Sequence, residues 1–152
     1  LESACVSFEL RFAQIRDLKK VLRAEAIVYG RLPLMITENC LVQNETGCRL
    51  DRQGPCVPED GPCRCGQPNV LVDRTGAAFP LLPAYGHRTE IQNSKPLYLA
   101  DRPEHRRLGL AYARLRFTTE TAEKCVSVVQ NYLDAAPAAG DFTRGLYERG
   151  VE

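Results

Sequence analysis

The 152-residue chain contains no tryptophan, one methionine and two histidines. Two imidazoles leave little for histidine-based chemistry. There is no His-Glu-x-x-His motif, and no spacing pairs His87 or His105 with a particular cysteine. Neither sign of charge dominates: 20 Lys and Arg against 19 Asp and Glu give a formal charge of +1. No whole-molecule field therefore exists to draw in nucleic acid, although a local basic patch is compatible with that balance. Long apolar runs are lacking, and none approaches the roughly 18–20 residues needed to cross a bilayer, so no membrane partner is expected. The opening Leu1-Glu2-Ser3-Ala4-Cys5 has none of the layout of a signal peptide. A phosphate-cradling glycine loop, a basic–aromatic RNA-reading pattern and an internal repeat are missing too. The remaining composition, 44% hydrophobic and 26% charged, is that of a folded domain or one end of a larger one. Because the first residue is Leu, a piece of a longer chain is expected.

What the sequence has instead is cysteine. Cys5 and Cys125 lie in apolar segments near the two ends and are expected as buried small hydrophobes. Cys40, Cys48, Cys56, Cys63 and Cys65 crowd into 26 residues. An odd total of seven, clustered in one region, fits a metal or cluster site in a reducing compartment better than a disulfide framework. The expected location is the cytoplasm, with reduced thiols. The sequon Asn44-Glu45-Thr46 points the other way, but such triplets arise often by accident.

Periodicity suggests an α/β chain. Val6–Leu10 reads as a strand, and Phe12, Ile15, Leu18 and Leu22 mark an amphipathic helix over Phe12–Ala24. Ala26–Tyr29 reads as a short strand of the kind buried in parallel sheets. Glycines and prolines break every period through residues 38–69. Asp73-Arg74-Thr75-Gly76 then joins Val70–Val72 to Ala78–Leu82 as a hairpin, followed by a polar stretch from His87 to Ser94. Asp101 is placed to cap a helix over Arg102–Leu108, with Glu104 in capping-box position. Leu110–Phe117 reads as a strand, and Thr118 or Thr119 as the cap of a helix. That helix presents one apolar face of Ala122, Cys125, Val126, Val129, Tyr132 and Leu133. The segments are a strand-helix-strand piece (1–37), a Cys-rich insertion with a hairpin (38–98), a helix-strand-helix piece (99–135) and a tail (136–152). The order suits the C-terminal portion of a (β/α) barrel-like fold, since a complete barrel needs about 250 residues.

The stretch Glu25-Ala26-Ile27-Val28-Tyr29-Gly30-Arg31-Leu32-Pro33-Leu34-Met35, followed by Cys40, resembles the signature of peptidase family U32. Leu71–Gly76 with Phe79-Pro80, then Glu90–Leu97, Ala113–Glu120 and Phe142–Gly145 are similar to that family's segments in the same order. The likeness is to the C-terminal part of such a protein. It implies an enzyme, either the collagenase-like peptidase of the family name or a hydroxylase of RNA bases or of a quinone precursor, with this piece inactive alone. It further implies a four-iron, four-sulfur cluster held by four cysteines, the first at Cys40. Cys48 and Cys63 follow in order, and the fourth ligand is open among Cys65, Cys56 and His87. The partner implied is the N-terminal half of the same barrel or a paralogous subunit, with RNA or a small molecule as substrate.

Other readings compete. Zinc is the main rival to the cluster, because four thiolates suit a tetrahedral structural site, although paired Cys-x-x-Cys knuckles are missing. A structural zinc or interaction module without chemistry would be the consequence. Arg31 and Arg116 leave strand ends, the face where barrel enzymes bind substrate, and with Asn93 form the candidate substrate-binding set. Each also has an ordinary reading: surface arginines, and an asparagine holding its own turn. His105, beside Arg106 and Arg107, is expected to be solvated. The catalytic residues are not legible.

Overall fold

The computed structural model describes residues 2–18, 20–46 and 67–149. In chain order the elements are β1 (Ala4–Cys5), α1 (Phe12–Leu18), β2 (Ala24–Gly30), β3 (Pro33–Thr37), α2 (Leu41–Thr46), β4 (Asn69–Val72), β5 (Ala78–Ala84), β6 (Arg88–Gln92), β7 (Leu97–Tyr98), α3 (Pro103–Arg107), β8 (Tyr112–Leu115) and α4 (Ala122–Asp134). The protein is mixed α/β and divides into two compact units, one of residues 1–32 with 95–152 and one of 33–94.

In the first unit β2 is the hub. It pairs in parallel with β1 at Ala4↔Ala24 and with β8 from Glu25↔Tyr112 to Tyr29↔Leu115, and antiparallel with β7 at Tyr29↔Tyr98. Alternation does the sorting: Ala24, Ala26 and Val28 are buried with Ile15, Leu97, Leu99, Leu108 and Tyr147 in one core. Tyr29 belongs to a second cluster with Tyr98, Ala100 and Val128. The helix expected to reach Ala24 stops at Leu18, because the backbone from Ala24 onward is drawn into the sheet by β1 and β8. The expected strand over Val6–Leu10 is displaced to Ala4–Cys5 for the same reason: Ala4 N–H donates to Arg23 O and Val6 N–H to Glu25 O.

Two helix caps differ from expectation. Arg102, without a side-chain cap, precedes α3, because the Asp101 carboxylate is engaged by Arg144 instead. Thr121, rather than Thr118 or Thr119, caps α4 by accepting from Lys124 N–H at 3.3 Å. The anticipated apolar face of α4 is rotated. Val128 is buried and Tyr132 half-buried, whereas Val126 and Leu133 are each 70% exposed. The Tyr132 hydroxyl sets this rotation by donating to Val28 O at 2.5 Å and accepting from Leu99 N–H at 2.8 Å.

The segment expected as a tail enters the core. Thr143 bridges the chain beside Leu97, with its N–H donating to Pro96 O and its carbonyl accepting from Tyr98 N–H. Tyr147 is 1% exposed, stacks on Phe12 with ring centroids 5.2 Å apart and donates to Ile27 O.

The second unit is an antiparallel sheet in the order β3–β6–β5–β4. β6 lies where only a polar stretch was legible, since its Arg-Thr-Glu-Ile-Gln has a single aliphatic residue and is held by strands on both sides. The expected hairpin forms: Asp73 Oδ1 accepts from Thr75 and Ala77 N–H, and Gly76 takes φ +83°.

Candidate functional site

Antiparallel order gives the second unit two distinct ends. One end carries the last residue of β3, the first of β6, the last of β5 and the first of β4. Cys40 follows β3 at this end, and His87 sits in the β5–β6 turn at the same end. The register Thr37↔Thr89 ties the two together. Thr89 is 2% exposed, and its hydroxyl accepts from Leu41 N–H at 3.0 Å, the amide next to Cys40. Arg88 and Glu38 form an exposed ion pair at 2.8 Å beside them. The Cys40 thiol is buried. His87 has φ +58°, a backbone region that His visits more readily than most side chains but still sparsely.

Residue 47 follows α2 directly, and β4 begins again at this end two residues after 67. Cys48, Cys56, Cys63 and Cys65 lie outside the described residues. Among the described residues no three His, Cys, Asp or Glu side chains are grouped to hold a metal ion. A buried thiol and an imidazole at one sheet end, with four further thiols in the chain between α2 and β4, suit a thiolate-held group by donor chemistry. Asn93 follows β6 and so stands at the opposite end of this sheet.

Arg31 and Arg116 belong to the first unit, where they follow the adjacent parallel strands β2 and β8. Gly30, at φ +117°, brings the two strand ends into contact: a Cβ there would lie 2.0 Å from Arg116 O. Arg116 N–H donates to Tyr29 O at 2.9 Å and its guanidinium to Arg31 O at 2.7 Å. Arg31 Nε donates to Thr119 Oγ1 at 3.4 Å. Glu120 folds back on the same loop. One carboxylate oxygen accepts from Thr118 and Thr119 N–H at 2.8 and 3.0 Å, and the other accepts from Tyr29 OH at 3.2 Å. Burial, then the Glu120 charge, pushes the Tyr29 phenol up, while Arg31 works the other way. Tyr29, Thr119 and Glu120 thus join the two arginines. The signal for Glu120 was present as an acidic residue at a helix start, but a long-range phenol partner has no local signature.

Other positions differ from expectation. Cys5 is exposed and Cys125 half-buried, so neither is a core residue. Partial desolvation and the Glu25 carboxylate push the Cys5 thiol up. His105 is buried rather than solvated, with Nδ1 2.6 Å from Arg102 O and the ring edge-on to Tyr132. Desolvation holds its imidazole below the ordinary value. It borders an open groove of about 530 Å³ whose apolar walls include Leu110, Leu115, Val129 and Leu133.

Among the described residues no helix is long and apolar enough to cross a membrane. Comparison with protein-family models, with curated proteins and with solved structures finds no match to this chain.

Proposed function

We propose that this chain is the C-terminal part of an iron–sulfur hydroxylase of the kind its motifs resemble, a barrel end bearing a cysteine-rich insertion. The observation that carries the reading is the shared sheet end. Cys40, His87 and the start of β4, shortly after residues 47–66, lie there. Cys40, Cys48 and Cys63, with Cys65, Cys56 or His87 as the fourth, would hold the cluster, which when bound supplies one-electron chemistry. The protein's own part is to keep the Cys40 thiol buried and to anchor its neighbour Leu41 through Thr89.

The barrel element of the proposal rests on the first unit. Among the described residues β8 pairs only with β2, and the Val126–Leu133 stripe of α4 faces solvent. Parallel strands are normally covered on both faces and along their edges, so the N-terminal half of the same barrel, or a paralogous subunit, is the natural cover. Substrate, an RNA base or a quinone precursor, would meet the strand ends at Arg31 and Arg116.

Anaerobic purification tests this. The expected product is brown, with broad absorbance near roughly 400 nm, matching iron and sulfide, and a loss of both in Cys40→Ser but not in Cys125→Ser. Colourless protein with stoichiometric zinc, or full iron loading without Cys40, would overturn it. A second reading, the collagenase-like peptidase, is favoured only by Cys40 and His87 sharing a sheet end. It requires gelatin cleavage by colourless protein, lost in both Cys40→Ser and His87→Ala.

A further inference from the structure

We propose that the outer edge of β4 is a self-pairing surface. A second copy of this chain adds its own β4 there, antiparallel about a two-fold axis at Leu71, and joins two four-stranded sheets into one. The pairing does not depend on the hydroxylase reading above. Among the described residues β4 pairs only with β5, so it is an edge of its sheet. The two edges of that sheet are built differently. β3 starts at Pro33, and its ladder shifts register between Pro33 and Met35, both of them devices that discourage a further strand. β4 has neither. Asn69-Val70-Leu71-Val72 runs in unbroken register, carries no charge or proline, and leaves its last three residues 56, 46 and 58% exposed. An apolar, β-branched edge without such guards is a template for another strand.

The ladder fixes both the occupant and its register. Asp73 N–H donates to Ala77 O at the head of the hairpin, so by alternation Leu71↔Phe79 and Asn69↔Leu81 are the hydrogen-bonded pairs. Val70 and Val72 lie between them, opposite Pro80 and Ala78, and turn their own N–H and C=O groups outward. A two-fold axis at Leu71 sets Val70 of each copy opposite Val72 of the other, and each of these two pairs exchanges both hydrogen bonds. Leu71 meets Leu71 and extends the Leu71–Phe79 row on one face, while valine meets valine on the other. Asn69 then faces Asp73 and Pro68 faces Arg74, so no like charges are opposed. An axis at Val70 would bring Pro68, which has no N–H, against Val72. An axis at Val72 would bring Asp73 against Leu71 and Arg74 against Val70. The edge is complementary to itself in the Leu71 register.

The test is sedimentation equilibrium of the 152-residue chain, with reductant present so that intermolecular disulfides do not contribute. One short ladder falls below a standard interface, so a reversible dimer with a dissociation constant on the order of 100 μM is expected. Leu71→Lys and Leu71→Glu each place like charges on the axis and should weaken the dimer about tenfold or more. Their equimolar mixture places opposite charges there and should restore it. Val126→Lys, on the exposed stripe of α4, should change nothing. Amide hydrogen exchange on the same samples should slow at Val70 and Val72 as concentration rises. The Leu71 amide, bonded to β5, should stay protected in every variant, which shows that the hairpin is folded. A monomer at every concentration up to about 1 mM, ten times the expected constant, would overturn the pairing. So would a dimer indifferent to both Leu71 substitutions, or two folded monomeric variants whose mixture stays monomeric. A dimer lost in Val126→Lys would overturn it as well, and would move the contact to α4.

Discussion

Asp101 and Arg144 form a two-pronged ion pair at 2.5 and 2.8 Å, with Arg144 also donating to Tyr98 O and lying over the Phe142 ring at 4.5 Å. The Arg144 hydrogen bonds hold the Asp101 carboxyl below its usual range. A lowered carboxyl contributes stability fully above the ordinary carboxylate range, near pH 4, and loses it as pH falls through the folded value. Acid unfolding curves should therefore show Arg144→Ala less stable by about 1–3 kcal/mol at neutral pH. The two proteins should converge towards pH 2, and parallel curves would show that the pair contributes nothing. Tyr147→Ala should cost about 3–5 kcal/mol by emptying a core position, measured by denaturant unfolding. Arg144 stood out only as part of the family-like Phe142–Gly145 segment, and Tyr147 not at all. Isolated aromatic and charged residues in an Ala- and Gly-rich segment carry no periodicity, and their partners lie 43 and 120 positions away. That Arg31 and Arg116 directly follow strands was legible, because it is a local fact.

At the scale of elements, legibility followed how local the determining forces are. The β4–β5 hairpin is fixed by its own turn, where Asp73 and Gly76 supply the cap and the positive φ, and it forms where the sequence put it. β6 could not be read because its five residues are strand only by virtue of β3 and β5. The helix α4 was legible as a helix but not in its rotation. Cys125, Val128 and Tyr132 form one stripe, and Val126, Val129 and Leu133 another one residue further round. Both are apolar, and the bonds of the Tyr132 hydroxyl to β2 and to Leu99 choose between them. Val128→Ala should cost about 2 kcal/mol, while Val126→Ala stays within about 0.5 kcal/mol in the same thermal or denaturant assay. Equal costs would mean that the helix buries the other stripe.

Over the whole molecule the two units differ in what holds them. Among the described residues most of the buried apolar side chains belong to the first unit, while residues 33–94 contribute Pro80, Leu81 and Cys40, with buried Thr89 and Gln92. In the proposed reading a thiolate-held group would add order to this sheet by coupling its binding to folding. Stripping the group from purified protein with chelator should therefore raise amide hydrogen exchange across 33–94 and leave residues 2–32 and 95–149 protected. Uniform exchange in both would remove the metal from the folding of the second unit. The chain path adds a last consequence. β2 runs out at Gly30 opposite Leu97, so the first unit is interrupted between two paired neighbours, and the second unit starts and stops with Pro33 opposite Gln92. Each unit has its loose ends side by side. The cysteine-bearing sheet is thus inserted as a cassette: each sheet closes the crossing with a rung of its own ladder, and the two share no strand.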